Sequence, residues 1–523
     1  MGNSVSSRYI ICPCVCIFAI SLLLSGTILA ADFIGGADDR SGLTREARQA
    51  VAITAAAFGD RVFVPGQIFT FGDTWDTAWL ADGRVLVQYN DGCGFSGNNR
   101  DEYHDGICEL LGTPADLSRG GVNLNPGKLG SFLGKTYSTG LYELDGALYH
   151  LCCYSVQTPG AWEFGPNNLY KSVNGGATWL NQRGEIDTYI PNDQKEATFA
   201  FPDKRWAQIN FIKYGKGGVA PDLDRAREFA YLNCGTFLAR IRRADLSGWK
   251  GAFDRTRTEY YCGADNADGT LDENWSRDSS RLTPVSRERI MSMVWNPGLR
   301  RYLATAVISD SWLKPPIPST LMLFEAPHPW GPWTKIHQEF INPRVRDNLG
   351  WLYLSPAFTI PDGTTMWTTA TGRDPYGLQF LPIYLSTRPV ETRGASQAER
   401  FGTELSTAIT GSSGNSYVDG FDAIGDSCSF TLPVASAGKH VLRYRYHCDV
   451  AGQSISLAVN DAPPMQLALG NTVQSTLPWN EGSVLLDLPA GPATIRFFVA
   501  DEGQAQNHFH LDRIQLVWLR GSP

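Results

Sequence analysis

The stretch "SVNGGATW", Ser172–Trp179, decides how the chain is read. Asn174 and Gly175 tolerate left-handed backbone, so the segment is a tight turn, and Trp179 supplies an indole to pack between strands beyond it. Working outward, "GGATW", "LSGW" and "PWGPW" close segments on tryptophans at separations of roughly 70 to 85 residues, the scale of a four-stranded propeller blade with long loops. Between them, "GRVLVQY", "GALYHLCCY", "REFAYLNC", "RYLATAVIS" and "TTMWTTATG" alternate between clusters of Gly, Pro, Asp and Asn. These are strand and turn signals, and helical periodicity is scarce. The expectation is an all-β chain with a five-bladed β-propeller over residues 32–387, against a sandwich or β-helix as the competing architecture.

The whole composition agrees. The chain has 523 residues, 43% hydrophobic and 11% aromatic, with 53 glycines, 30 prolines and only 19% charged residues. That length calls for more than one domain, and that balance for turn-dense β structure. A net charge of −8 leaves no basic stripe for a phosphate backbone, which excludes nucleic acid as the expected partner. Arg8 precedes an apolar run from Tyr9 to Leu24, and small residues lead to Ala30. Residues 1–30 therefore read as a signal peptide, and the protein as secreted (extracellular or periplasmic), off the membrane once the signal is removed, and monomeric. Eight of the 11 cysteines follow that segment, an even number suited to oxidation after export. Cys428 and Cys448, alone in the C-terminal region, are the simplest disulfide pair.

Residues 388–398, within the polar "STRPVETRGASQAER", read as a linker, and residues 399–520 as a separate β-sandwich (jelly-roll). In that module "AERFG", "GNSYVDGF", "GDSCSFTLP", "AGKHVLRYRYH", "LAVND", "LPWNEGSVLLDLPAGPATIRFFV" and "HLDRIQLVW" resemble, in order, carbohydrate-binding module families 6 and 35. The resemblance implies a sugar-binding jelly roll with Trp479 as stacking platform and Tyr417 and Asn507 as loop partners. It also implies a structural calcium held by Glu399 and Asp512, although the second acidic residue usual after "AE" is Phe401 here.

"SVNGGATW" itself fits the sialidase-type Asp-box pattern, whose role is structural. "GDTWDTAWLADGRVLVQYNDGCGF", "KTYSTGLYELDGALYHL", "NLYKSVNGGATW", "LFEAPHPWGPWTKI" and "DGTTMWTTATG" are similar, in order over most of residues 60–375, to the domain-of-unknown-function 4185 family, related to the endo-D-arabinanases of glycoside hydrolase family 183. That resemblance implies a secreted five-bladed propeller acting on polysaccharide, possessing acidic catalytic residues near its centre and needing no cofactor for catalysis.

Glycosidic cleavage needs two carboxyl groups, one protonated to donate to the leaving oxygen and one ionised to attack or to activate water. The segment Phe69–Phe95 supplies four aspartates on one expected hairpin, with "LADGR" as its turn. Asp82, before Gly83, is a turn residue. Asp73 lies between Phe71 and Trp75, where apolar walls raise a carboxyl pKa, so it is the candidate acid. Asp91 is the candidate base or nucleophile, although it too precedes a glycine, and Asp76 is the third candidate. Trp75, Trp79 and Asn90 are candidate sugar contacts, and Arg205 and Arg373 candidate binders of hydroxyl or carboxylate. The leading function is a glycoside hydrolase targeted to its polysaccharide by the C-terminal module. The alternatives are a polysaccharide lyase, for which His104 and His150 are the candidate bases, and a noncatalytic propeller lectin or adhesin.

Overall fold

The computed structural model describes residues 53–520 except 60, 64–69, 96–102, 115, 117–119, 125–135, 159–160, 182, 186–208, 249–253, 264–273, 287, 309–318, 342–348, 374–375, 451–452, 461, 470–478 and 507. The expected signal peptide lies outside the described residues. Regular structure is almost entirely strand, as alternating apolar runs between turn residues require.

Among the described residues, five antiparallel sheets precede the C-terminal module. Sheet one contains Phe71–Asp73, Thr77–Trp79, Val85–Gly94, Tyr103–Leu110 and Gly121–Leu124; sheet two runs Thr136–Leu144, Ala147–Thr158, Ala161–Ser172. Sheet three contains Asn210–Phe211, Phe229–Cys234, Phe237–Arg242, Glu259–Tyr261 and Trp275–Ser276, and sheet four Ile290–Asn296, Arg301–Ile308, Ser319–Ala326 and Thr334–Ile341. Sheet five joins Leu349–Thr359, Thr365–Arg373 and Tyr376–Ser386 to Ala55–Phe58 from the other end of the chain, with Ala55 opposite Ser386 and Phe58 opposite Ile383.

The sheets pack in succession. Thr77–Trp79 lies against Thr136–Leu144, that strand against Asn210–Phe211, that against Ile290–Asn296, that against Leu349–Thr359, and this last one returns to Thr77–Trp79. Apolar cores fill the gaps: Leu86 and Leu148 between sheets one and two, Tyr142, Leu232 and Met293 across sheets two to four, Leu303 and Leu352 between four and five, Tyr89 and Phe380 between five and one. The result is an all-β, propeller-like arrangement.

The "SVNGGATW" turn behaves as its chemistry demands. The Asn174 side chain accepts from Thr178 N at 2.9 Å, Gly176 N donates to Ser172 Oγ at 2.9 Å, and Trp179 is buried. Positive φ falls on Gly175 and Gly176, at 67° and 92°, and not on Asn174.

The C-terminal module is two facing sheets around one core that includes Phe430, Leu442, Tyr446, Ile495 and Phe497. One sheet holds Glu404–Ser406, Tyr417–Asp419, Phe509–Arg520, Gly438–Cys448 and Asn480–Leu488; the other holds Glu399–Phe401, Ser427–Val434, Gly491–Phe498, Ser454–Val459 and Met465–Ala468. The expected linker is corrected here. Glu391–Gly394 pairs with Phe509–Arg520, Glu391 opposite Leu516, so the sandwich begins inside residues 388–398. This edge strand is half-exposed to exposed throughout, so it has no apolar alternation to betray it. The expected disulfide is also corrected: Cys428 and Cys448 lie on opposite sheets and are not bridged, and the Cys448 thiol donates to Val450 O at 3.2 Å.

The sandwich rests on the outer strands of sheets four and five. Val441, Val517 and Leu519 bury against Ala55, Ala57 and Tyr384, Ser386 Oγ donates to Trp518 O at 2.8 Å, and Ser483 Oγ meets His337 Nδ1 at 2.9 Å.

Candidate active site

Sheet one is built around an interrupted hairpin. Thr77, Ala78 and Trp79 pair with Val87, Leu86 and Val85 near the turn, while Asp73 pairs with Asn90 and Phe71 with Gly94 at the far end. Asp82 holds that turn, accepting from Arg84 N at 2.9 Å and Arg84 Nε at 2.8 Å, which is the structural role expected of it. Between the two paired ends of the first strand, Thr74 has φ 54°. Between Phe71 and Asp73 only Gly72 stands opposite Asp91, Gly92 and Cys93, so Asp91 sits in a bulge with φ 46°. Bulges re-aim side chains, and left-handed backbone at a β-branched threonine is strained. Trp351, φ 49°, also lies here, so three non-glycine residues of positive φ gather around Asp73.

Asp73 is half-buried, and Tyr376 donates its hydroxyl to Asp73 Oδ2 at 2.7 Å. The Thr74 hydroxyl and the Trp351 indole lie near enough to favour its ionised form as well. Burial, aided by the neighbouring Asp91 carboxylate, pushes the Asp73 carboxyl up to about 8, and Tyr376, Thr74 and Trp351 pull the other way. Asp73, Asp91, Tyr137, Trp351 and Tyr376 are all half-buried. Each therefore keeps some surface open. Tyr376 feels both Asp73 and Asp91, and burial with those charges drives its phenol well above the ordinary range. Sheets one, two and five thus meet at one carboxyl pair ringed by aromatic side chains.

Asp76 belongs elsewhere. It is fully buried and ion-paired with buried Lys213, and its Oδ2 accepts from Leu141 N at 3.2 Å. Lys213 also donates to Thr77 O. Burial pushes Asp76 up and Lys213 down, while each opposes the shift of the other. The carboxylate ties sheets one, two and three together, and this committed pairing corrects its candidacy as a catalytic group.

The expected sugar contacts in sheet one are corrected as well. Trp75 is completely buried, donates to Gly72 O at 3.0 Å and packs on Tyr89 and Phe95. Trp79 pairs with Val85, five residues along the strand from Asn90, or about 17 Å at strand rise. Asn90 is 2% exposed and bonded to Thr74 and Ser138, so it cannot face a substrate. Arg205 lies outside the described residues; Arg373 ends the strand Thr365–Arg373, and its side chain lies outside them too.

His150 is buried, lies 2.7 Å from Ser138 Oγ, and is pushed down to about 3 by burial. It is neutral and buried; the His104 side chain lies outside the described residues. The sequence alone does not single out Trp351 and Tyr376. Tyr376 stands three residues beyond Arg373 in "RDPYG", and Trp351 follows a glycine at a strand entrance; both signals are local and say nothing of Asp73.

In the sandwich, Trp479 is 5% exposed and its indole N–H donates to Thr410 O at 2.9 Å. Tyr417 is buried edge-on to it, centroids 5.4 Å apart, and Ser406 Oγ donates to its hydroxyl at 2.9 Å. The two are packing residues, which corrects the stacking platform; Asn507 lies outside the described residues. Asp512 is buried, paired with Arg445, and accepts from Ser413 N at 2.8 Å, whereas Glu399 is exposed on the opposite sheet. A carboxylate already answered by arginine does not fit a calcium ligand. Among the described residues no group of three or more His, Cys, Asp or Glu is placed to hold a metal.

No protein-family model matches the chain. An isomaltosyltransferase of Sporosarcina globispora is 28% identical over 116 residues, 22% of this chain and 10% of that protein, so the match spans about a tenth of its length. Among solved structures, a family 35 carbohydrate-binding module from Clostridium thermocellum is 22% identical, covering 25% of this chain and 98% of that one with a TM-score of 0.22. An exo-β-1,3-galactanase from Phanerochaete chrysosporium is 12% identical, covering 86% of this chain and 99% of that one with a TM-score of 0.36.

Proposed function

We propose that the protein is a secreted glycoside hydrolase acting on a polysaccharide, with the five N-terminal sheets as the blades of a five-bladed propeller and the sandwich as a polymer-holding module. The observation that carries this reading is the Asp73–Asp91 pair, in which one carboxyl is held up to about 8 beside the other. At neutral pH Asp73 keeps its proton and gives it to the leaving glycosidic oxygen. Asp91 attacks the anomeric carbon or takes a proton from the water that does; the anomer first released tells these apart. Trp351, Tyr137 and Tyr376 supply aromatic surface to a sugar ring. The sandwich keeps the polymer near the site and so raises the local concentration of cleavable bonds. The resemblance to endo-D-arabinanases makes arabinan the first substrate to try.

The test is a reducing-end and chromatographic screen of plant, algal and bacterial-envelope polysaccharides, arabinan included, with Asp73→Asn beside the wild type. One polymer is expected to yield oligosaccharides, and the variant to lose about 10²-fold or more. Unchanged turnover by Asp73→Asn overturns the assignment, and polymer binding without cleavage moves the protein to the lectins.

A further inference from the structure

The strands that line the ring of sheets are set level with one another by their cross-links. Thr77 Oγ1 donates to Ser355 Oγ at 3.0 Å, so these two residues of sheets one and five stand side by side. Four residues back along each strand are Asp73 and Trp351, the two that meet at the carboxyl pair. Leu354 N donates to Ser292 Oγ at 3.2 Å, which puts sheet four in the same register. Three residues back from that link are Trp351 again and, on sheet four, Arg289. Lys213 bridges Val294 in parallel, so the inner strands of sheets three and four also enter from one end. Arg289 therefore stands at the same mouth as Asp73, two sheets round the ring.

The position of Arg289 is built into its neighbours. Ile290 N donates to Gly235 O at 3.3 Å and Asn233 Nδ2 to Ile290 O at 3.4 Å, which pins the next residue of the chain to the end of sheet three. The arginine stem lies over Gly235, where φ is 58°, and a Cβ there would be 3.4 Å from Arg289 Cγ. The side chain is exposed, so it faces the solvent that a substrate displaces. The buried Tyr353 phenol feels the Asp73 carboxyl and the Arg289 guanidinium in opposite senses, as groups bordering one space do.

Two carboxyl groups at the point of cleavage repel an anion placed beside them. A guanidinium two sheets away does the reverse: it keeps its charge across the working pH range and presents a planar fork of donors that matches a carboxylate. We infer that Arg289 binds a carboxylate on a sugar unit flanking the cleaved bond, so that the substrate is a polysaccharide carrying uronic acid units. The inference narrows the hydrolase reading and rests on it.

The experiment is calorimetric titration of the full chain, at low salt, with polygalacturonate, glucuronoxylan and alginate, each beside its carboxyl-reduced, neutral form. All variants carry Asp73→Asn so that no polymer is cut during the measurement. With Arg289 present, at least one acidic polymer is expected to bind about 10-fold tighter than its reduced form, and Arg289→Gln to remove that difference. Arg289→Lys keeps the charge without the fork and should restore the preference in part. A preference that survives Arg289→Gln belongs to another surface, the sandwich included, and overturns the inference. So does equal binding of acidic and reduced forms by the protein that retains Arg289. Because binding and not turnover is read, either of those results leaves the hydrolase reading standing, and a failed search for turnover leaves the role of Arg289 measurable.

Discussion

Asp73 and Asp76 stand three residues apart and differ in what answers their charge. Asp76 has a full opposite charge in Lys213, whereas among the described residues Asp73 is answered by hydroxyl and indole dipoles and has another carboxylate beside it. Dipoles do not balance burial plus like charge, so Asp73 keeps its proton far above its ordinary 3.8, to about 8. The linkage has a definite sign. The folded protein binds this proton more tightly than the unfolded chain does, so the contribution to stability is full below about pH 4 and is lost as pH rises to about 8. Asp73→Asn carries no titrating group and is free of that loss. Thermal midpoints measured from pH 4 to pH 9 are expected to show the variant gaining on the wild type steadily and levelling off above pH 8. A difference that stays constant across the range would show that the Asp73 carboxyl is not raised above its unfolded value.

At the scale of the element, the bulge at Asp91 is what brings two carboxyl groups of one hairpin together. It is built on a close approach: a Cβ at Gly92 would lie 2.0 Å from Phe71 O. Gly92→Ala must therefore push Phe71–Asp73 off its partner strand. The expected cost is about 1–3 kcal/mol in denaturant unfolding, together with loss of turnover, because Asp73 moves with the strand. Wild-type stability in Gly92→Ala would show that the bulge is not tightly held. Much of this hairpin was legible, since "LADGR" dictates a turn and the aspartates flank it. Alternation places Trp75 and Trp79 on a strand but does not say that one is buried and the other stands at the turn end. Asn90 looked like a sugar contact for the same reason, because an amide on a strand shows neither face nor partner in sequence. Tyr376 reaches Asp73 across 303 residues. Only the return of sheet five to sheet one makes that contact, and no local pattern encodes it. The motif around Trp479 does not show its burial, which depends on Thr410 and Tyr417 closing over the indole.

At the scale of the molecule, one strand from each end of the N-terminal region closes sheet five, and the sandwich is laid on that seam. Ala55, Ala57 and Tyr384 would lose their apolar cover without Val441, Val517 and Leu519. The polar link misread as a linker belongs to the same device, because Glu391–Gly394 continues from sheet five directly into the sandwich sheet with four intervening residues between Ser386 and Glu391. So short a connection allows little independent movement, and the two bodies should unfold together. Val441→Asp tests this. Its neighbours Leu442 and Tyr444 face the sandwich core and are untouched, while a carboxylate at position 441 is buried against alanines at a cost of about 3 kcal/mol or more. Scanning calorimetry of the wild type is expected to give one cooperative transition, and of Val441→Asp two, the first at lower temperature. If the wild type already melts in two steps, the sandwich is a tethered module and the seam contributes little. If Val441→Asp melts as the wild type does, the contact is not where the two bodies are coupled. A single transition that splits would mean that the sandwich and sheet five stabilise each other through this surface, so that a substitution in one lowers the stability of the other.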